Sequence, residues 1–307
     1  MDQFANKEQI ESYDESRPKY SDKIFEHIIK NTNNFDSYLD VACGTGQLLF
    51  PISKSFKRSI GVDVSSFQIA KAQEHLDAVQ KKSDKKLHIH LLAADIYEAF
   101  DKLSSDGIIP SNQKFDLITV GQAFHWFDEH KILPFLKSLL CDNGTLVLAG
   151  YKKQHFDQST QPELYGPFNS LIETLTPYFE CDVNNTDWAY YKNNESFKKY
   201  FGEKNVVEPL YFEETFDLPV SKLLLLVKSW SAYVNIKKET TEGKLDVLEE
   251  LEINLRKALK LPEKKQDKVE KKEDDEMELH PNPEAHLLDN TNIEFHNFYF
   301  VITLENK

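Results

Sequence analysis

The chain has 307 residues, 40% of them hydrophobic, enough for a sizeable core and for one α/β domain with insertions. Acidic residues outnumber basic ones 51 to 37, a formal net charge of −14, which argues against nucleic-acid partners, whose phosphates need clustered Lys and Arg. Three widely spaced cysteines, Cys43, Cys141 and Cys181, read as reduced thiols; with a polar opening stretch that lacks a signal core, they make the expected location cytoplasmic. No membrane contact is expected, because the longest aliphatic run, LLLLV at 223–227, is too short to span a bilayer.

In chain order, Ser21 or Asp22 caps a predicted helix carrying Ile24, Phe25, Ile28 and Ile29 on one face. A short buried strand follows at Tyr38–Ala42. LLFPISKSF reads as a helix with Pro51 inside it, tolerable only in the first turn or at a kink. RSIGVDV is a second strand and SSFQIAKAQEHLDAVQ a second crossover helix. LHIHLLAAD, KFDLITVGQ and GTLVLAGY are the third, fourth and fifth strands, with DEHKILPFLKSLL as the helix between the last two. Alternation of this kind gives right-handed crossovers and a parallel sheet covered on both faces.

Beyond about residue 155 the alternation lapses and aromatics crowd together. VVEPLYFEETFDL then reads as a strand, PVSKLLLLVKSWSAYV as a helix opened by Pro219, and GKLDVLEELEINLRKALKL as an amphipathic helix stopped by Pro262. The charge run that follows is a solvated loop, and IEFHNFYFVITL alternates as a closing strand. The expected organisation is an amino-terminal lid and helix at 1–35, a ligand-binding core at 36–152, and a substrate cap with a late strand and helices at 153–260. A charged mobile loop at 261–290 and the core's closing strand at 291–307 complete it. A protein partner through 262–285 is a further expectation.

YLDVACGTGQLLF, Tyr38 to Phe50, ends a buried strand in an acid, a cysteine and two close glycines. In a parallel sheet, ligands bind beyond the carboxyl ends of the strands, so this turn opens into a cleft. Gly44 and Gly46 lack the third glycine of a dinucleotide fingerprint, which disfavours a diphosphate. Asp63, ending the second strand, can accept bonds from two ribose hydroxyls. Asp95, ending the third, can take an adenine amino proton. With Asp40, these strand-end acids suit a cationic ligand with one nucleoside, and S-adenosyl-L-methionine fits. His88 and His90 share a strand face without a ligand cluster beside them, so no metal is expected, and no G-x-S-x-G turn supports a serine hydrolase.

LDVACGTGQ, GVDVS and AAD, in that order, resemble the class I S-adenosylmethionine-dependent methyltransferases over about residues 10–150. YDESRPKYSDKI, VGQAFHWFD and KSWSAYVNI further resemble the trans-aconitate methyltransferase group, which methylates small carboxylic acids. The resemblance implies a doubly wound, mostly parallel seven-stranded α/β sheet, Rossmann-like, with an aromatic-rich carboxy-terminal cap. It puts Asp40, Gly44 and Gly46, with the intervening Ala42 and Cys43, at the methionine end of the cofactor. Asp63 and Val64 fall at the ribose, Asp95 and Ile96 at the adenine, and Gln122, Ala123, His125 and Trp126 in a wall between cofactor and substrate. Ala42 stands where many relatives have Gly, a change of little bulk.

A carboxylate is already ionised at neutral pH, so methylating one needs positioning and desolvation rather than a general base. Only three arginines occur. Arg58 begins the second strand, away from the cleft, and Arg256 is expected to face solvent. Arg17, in RPKY, is the candidate carboxylate clamp, with pairing to Asp14 as its structural alternative. Tyr13 and Tyr20 flank it and can close over the site. His125 can donate to the acid, Tyr233 can add a hydroxyl, and Trp230 belongs to the core. The rival readings are transfer to another small-molecule, lipid or protein acceptor, and a non-catalytic subunit of the same fold.

Overall fold

The computed structural model describes residues 19–82, 86–151, 155–179, 191, 194–239, 246–263 and 285–307. The lid segment carrying Tyr13 and Arg17 lies outside them, as does nearly all of the 262–285 charge run. The apolar stretches ahead of the crossover helices form the strands β1 (Ser37–Val41), β2 (Arg58–Asp63), β3 (Ile89–Ala93), β4 (Phe115–Gly121) and β5 (Leu140–Tyr151). All five residues of β1 are buried, as expected of a strand covered on both faces. Asp116 fixes where β1 starts. Its Oδ2 accepts from the Asp36 and Ser37 amides at 3.0 and 2.9 Å.

Two late strands, β6 (Leu210–Pro219) and β7 (Asn292–Glu305), complete a seven-stranded sheet in the order β3-β2-β1-β4-β5-β7-β6. The first five strands pair in parallel. β7 runs antiparallel to both its neighbours, so a chain segment from the far end of the sequence closes the core.

Helices α1 (Asp22–Lys30), α2 (Leu49–Ser53) and α3 (Ser66–Lys81) cover one face, where Ile24, Ile28, Leu49, Ile52, Ala72 and Leu76 are buried. Helices α4 (Ile96–Ser105), α5 (Glu129–Leu139) and α7 (Glu195–Phe201) cover the other through Ala99, Leu103, Leu133, Leu136 and Phe197. Helix α6 (Pro162–Leu175) joins α8 (Val220–Lys228), α9 (Ser231–Glu239), α10 (Val247–Ala258) and α11 (Ala285–Asn290) in the cap. Phe156, Phe168, Leu223, Trp230, Leu251 and Phe295 are its centre. Among the described residues no helix is long and apolar enough to cross a membrane.

Side chains set the helix starts. Ser21 accepts from Lys23 N at 3.3 Å and Asp95 from Tyr97 N at 2.9 Å. Asp128 and Asp246 do the same for α5 and α10. Three details differ from the sequence reading. The long helix expected from Pro219 breaks between α8 and α9, where Ser229 Oγ donates back to Leu226 O at 2.6 Å, an alternative to continued helix. β5 starts at Leu140 rather than Gly144, with a register shift against β4. Arg256 is 4% exposed, not solvent-facing. Its Nε donates to Glu252 at 2.8 Å and its Nη1 to Pro262 O at 3.1 Å, fastening the end of α10.

Candidate active site

β1 ends at Val41 because Ala42 turns into the left-handed region at φ +53°. Glycine takes this conformation freely; a residue with a Cβ pays roughly 1 kcal/mol for it. The replacement of Gly by Ala is therefore more than a small change in bulk: it builds modest strain into the turn. Gly44 and Gly46 continue at φ +53° and +92°, and a Cβ on Gly46 would enter the Phe50 ring. A tight nest of backbone thus sits directly beyond a buried strand, feeding α2.

The turn borders a cleft of about 420 Å³, counting its open mouth, with Tyr20, Asp40, Gly44, Gly121, Gln122 and Tyr151 among its lining residues. Asp40, 1% exposed, is its deepest charge. Thr119 Oγ1 donates to Asp40 Oδ1 at 2.5 Å, and Thr119 lies 2.7 Å from the Tyr38 hydroxyl. Because the threonine proton goes to the carboxylate, Tyr38 donates to Thr119, and two hydroxyls in series end on Asp40. Burial pushes the Asp40 carboxyl up to about 7; the Thr119 bond opposes the rise, the nearby Asp63 charge adds to it, and the Leu49 amide opposes it. Among the described residues no Lys or Arg pairs with it, so its environment favours a cation from outside.

Asp63 bridges two turns. Its Oδ2 accepts from Gly44 N and its Oδ1 from Ser65 N, each at 2.9 Å. Next to it Val64 is 62% exposed. Asp95 ends the neighbouring strand. Its carboxylate caps α4, and Ile96 is buried in the core, so only Asp95's second oxygen is left for the assigned contact and Ile96 offers backbone rather than side chain. The Cys43 side chain packs toward β2, where Gly61 makes room for its sulfur. Burial holds its thiol well above the usual range, so it is neither thiolate nor base.

On the other side of the cleft Gln122, at φ +52°, uses its amide on backbone: Nε2 donates to Tyr151 O and Oε1 accepts from Tyr151 N, both at 3.1 Å. It clasps the ends of β4 and β5 and lines the cleft as a wall. Tyr20 closes against the same edge, its hydroxyl 2.9 Å from where a Gly121 Cβ would stand. Ala123 is buried. His125 tilts against Trp126, ring centroids 5.0 Å apart, and Trp126 is 41% exposed, so it does not form the dry wall expected of it.

Tyr233 is a correction. Its hydroxyl donates to Asp246 Oδ2 at 2.9 Å inside the cap, and burial with this bond holds the phenol well above its ordinary range. Its partner is the cap residue of α10, which leaves no free hydroxyl for an acceptor. Tyr233→Phe is expected to lower stability by about 1 kcal/mol, read from chemical unfolding, with substrate KM unchanged. Thr119, Tyr38 and Tyr151 escaped the sequence reading; the signal for Thr119 was a polar residue amid the apolar run of β4, in register with Asp40.

Residues 39–146 match a methyltransferase-domain family. A methyltransferase of Dictyostelium discoideum is 28% identical over 258 residues, covering 81% of this chain and 84% of that protein. The Saccharomyces cerevisiae protein CRG1, classed as an S-adenosylmethionine-dependent methyltransferase, is 27% identical over 62% of this chain and 59% of its own length. A solved structure described as a type II methyltransferase from Anaeromyxobacter dehalogenans superposes with a TM-score of 0.61 at 18% identity, over 94% of this chain and 98% of that one, and shows the shared fold. Glycine turn, strand-end acids and strand order fit the Rossmann-like fold of the class I methyltransferases. The matched domain, the methyltransferase relatives and the shared fold together support reading this chain as a class I S-adenosylmethionine-dependent methyltransferase. Its site fits that cofactor, since a buried carboxylate without a cation stands behind a glycine nest.

Proposed function

We propose that the methyl acceptor is the carboxylate of a small organic acid, of the trans-aconitate type. The observation that supports this is what the cleft lacks. Among its described lining residues, no Lys or His stands ready to take a proton from a neutral acceptor. Asp40 is the one carboxylate there, and it is engaged by Thr119 and fully buried. The Cys43 thiol is held protonated. An acceptor that arrives ionised needs none of these.

S-adenosylmethionine, when bound, supplies the activated methyl group. Asp40 sets the negative potential at the methionine end, and Asp63 with the Gly44–Gly46 turn holds the nucleoside. Tyr20, Tyr151 and Gln122 wall the path along which the acid approaches, and excluding water there strengthens every charge contact. His125 and Trp126, beyond the end of β4, are outside the cleft's lining, and His125 is assigned as a donor to the acid rather than as a base. Arg17 supplies the clamp: it lies three residues before Tyr20, a chain reach of about 10 Å, and the adjoining segment is anchored where Tyr299 donates to Lys19 O at 2.9 Å.

The test is transfer of labelled methyl to a panel of di- and tricarboxylic acids, lipids and protein extracts. A base-labile ester on a small acid is the expected product. Label appearing only on nitrogen, lipid or protein acceptors overturns the reading. Arg17→Ala is expected to raise the acid's KM about 10- to 100-fold, the scale of one or two charged hydrogen bonds, with cofactor affinity within about threefold. An unchanged KM removes Arg17 from the clamp.

A further inference from the structure

We propose that His155, Glu213 and His296 form a binding site for a divalent transition-metal ion, with zinc as the best-matched species. The three residues come from separate parts of the chain: the segment after β5, the outer strand β6, and β7. One potential ligand atom from each falls within 4.8 Å of the others.

The backbone brings them together. His155 and His296 exchange both hydrogen bonds of an antiparallel bridge, at 3.2 and 3.0 Å. This sets their imidazoles side by side, with centroids 5.4 Å apart and planes tilted by 33°. Glu213 reaches in from β6 with Oε1 at 2.5 Å from His296 Nδ1. The His155 ring is further held by Phe298, stacked at 5.2 Å, and Phe298 by Tyr211 at 5.7 Å. An aromatic row therefore fixes one side of the cluster.

A plain His–Glu ion pair explains only part of this arrangement. It leaves His296, 9% exposed, with a buried Nε2 that has no hydrogen-bond partner. It also gives no role to the second imidazole beside it. A metal ion accounts for both. Two neutral imidazoles and one carboxylate are a common ligand set for zinc, with a fourth position open to water or an anion. With His296 bound through Nδ1, its Nε2–H points to Glu294 Oε1, now 3.7 Å away. An outer-shell carboxylate in that place orients a metal-bound histidine.

Insertion of the ion requires His296 Nδ1 and Glu213 to separate to about 3.3 Å, the ligand spacing that tetrahedral zinc geometry sets. The Glu213 side chain is 40% exposed and free to give way. His155 stands four residues beyond Tyr151, which lines the cofactor cleft. The site thus lies on the same end of the sheet and ties the root of the cap to its edge.

The test uses the full chain, stripped with chelator and dialysed, titrated with zinc alone by calorimetry and assayed for bound metal by mass spectrometry. One equivalent at micromolar affinity or better is expected, with a thermal transition raised by several degrees. His155→Ala and Glu213→Gln are each expected to weaken binding at least 30-fold. The Glu213→Gln change keeps side-chain shape, so a folding defect in the histidine variant does not decide the outcome. Cobalt substitution should give the visible absorption of a tetrahedral site in the wild type and lose it in both variants. Absence of stoichiometric zinc in the wild type overturns the proposal, as does wild-type affinity in Glu213→Gln and any well-folded His155 variant.

Discussion

Asp63→Ala is expected to abolish calorimetric binding of S-adenosylmethionine at concentrations where the wild type saturates. The carboxylate has two jobs that fail together. It holds Gly44 N and Ser65 N, each at 2.9 Å, and so fixes the turn after β1 against the turn after β2. The same carboxylate is assigned to the ribose hydroxyls. A hydrogen bond to a charged group contributes about 1.5–3 kcal/mol, so losing two lowers affinity by roughly 10²- to 10⁴-fold before any loosening of the turn. Asp63→Asn separates the contributions. One amide oxygen still accepts a backbone N–H, while the amide nitrogen meets a donor and cannot replace the second. An intermediate loss is therefore expected for Asn. The unfolding transition of each variant serves as the fold control. Affinity within about threefold of wild type in a well-folded Asp63→Ala removes the ribose assignment.

The legible parts of this protein are those where one physical rule dominates. β1 and β4 are buried on both faces, so their apolar runs announce them, and SFQIA after Ser65 announces a capped helix. Gly46 is legible for a related reason: only glycine leaves room for the Phe50 ring. The cap is harder to read. Ser229 breaks a helix that the apolar pattern would continue, and Arg256 turns inward because Glu252 and the Pro262 carbonyl meet it there. Both outcomes rest on side-chain bonds to nearby residues that an apolar periodicity does not register. Partner choice is hidden in the same way. Tyr233 was readable as a hydroxyl near the acceptor, but its use by Asp246 depends on how α9 and α10 pack. Gln122 was readable as a wall residue, yet its amide bonds are set by the end of β5. His155 and His296 are 141 positions apart with no motif joining them; only the closure of the sheet by β7 makes them neighbours.

Asp40→Asn is expected to remove the pH dependence of cofactor binding and, separately, of stability. In the free protein the Asp40 carboxyl is pushed up to about 7, chiefly by burial. A cationic ligand favours the ionised form and draws that value back down, so binding below pH 7 must release a proton. Wild-type affinity should then fall by up to about tenfold per unit as pH drops from 7 toward 5.5, and level off above 7.5. The variant should bind more weakly at pH 8 and show no such slope. For folding the sign is reversed. The carboxyl holds its proton more tightly in the folded state than at the ordinary value of 3.8 in the unfolded chain. Its contribution is fully present below about pH 4 and is lost as pH rises through 7, an amount on the order of 4 kcal/mol. The wild type should thus lose thermal stability between pH 5 and 8 in the cofactor-free state. Asn, neutral throughout and still able to accept from Thr119, should lose much less of it. The same buried charge therefore weakens the empty protein and strengthens its complex. Equal pH slopes in wild type and variant, for binding or for unfolding, would show that Asp40 is not the group that titrates.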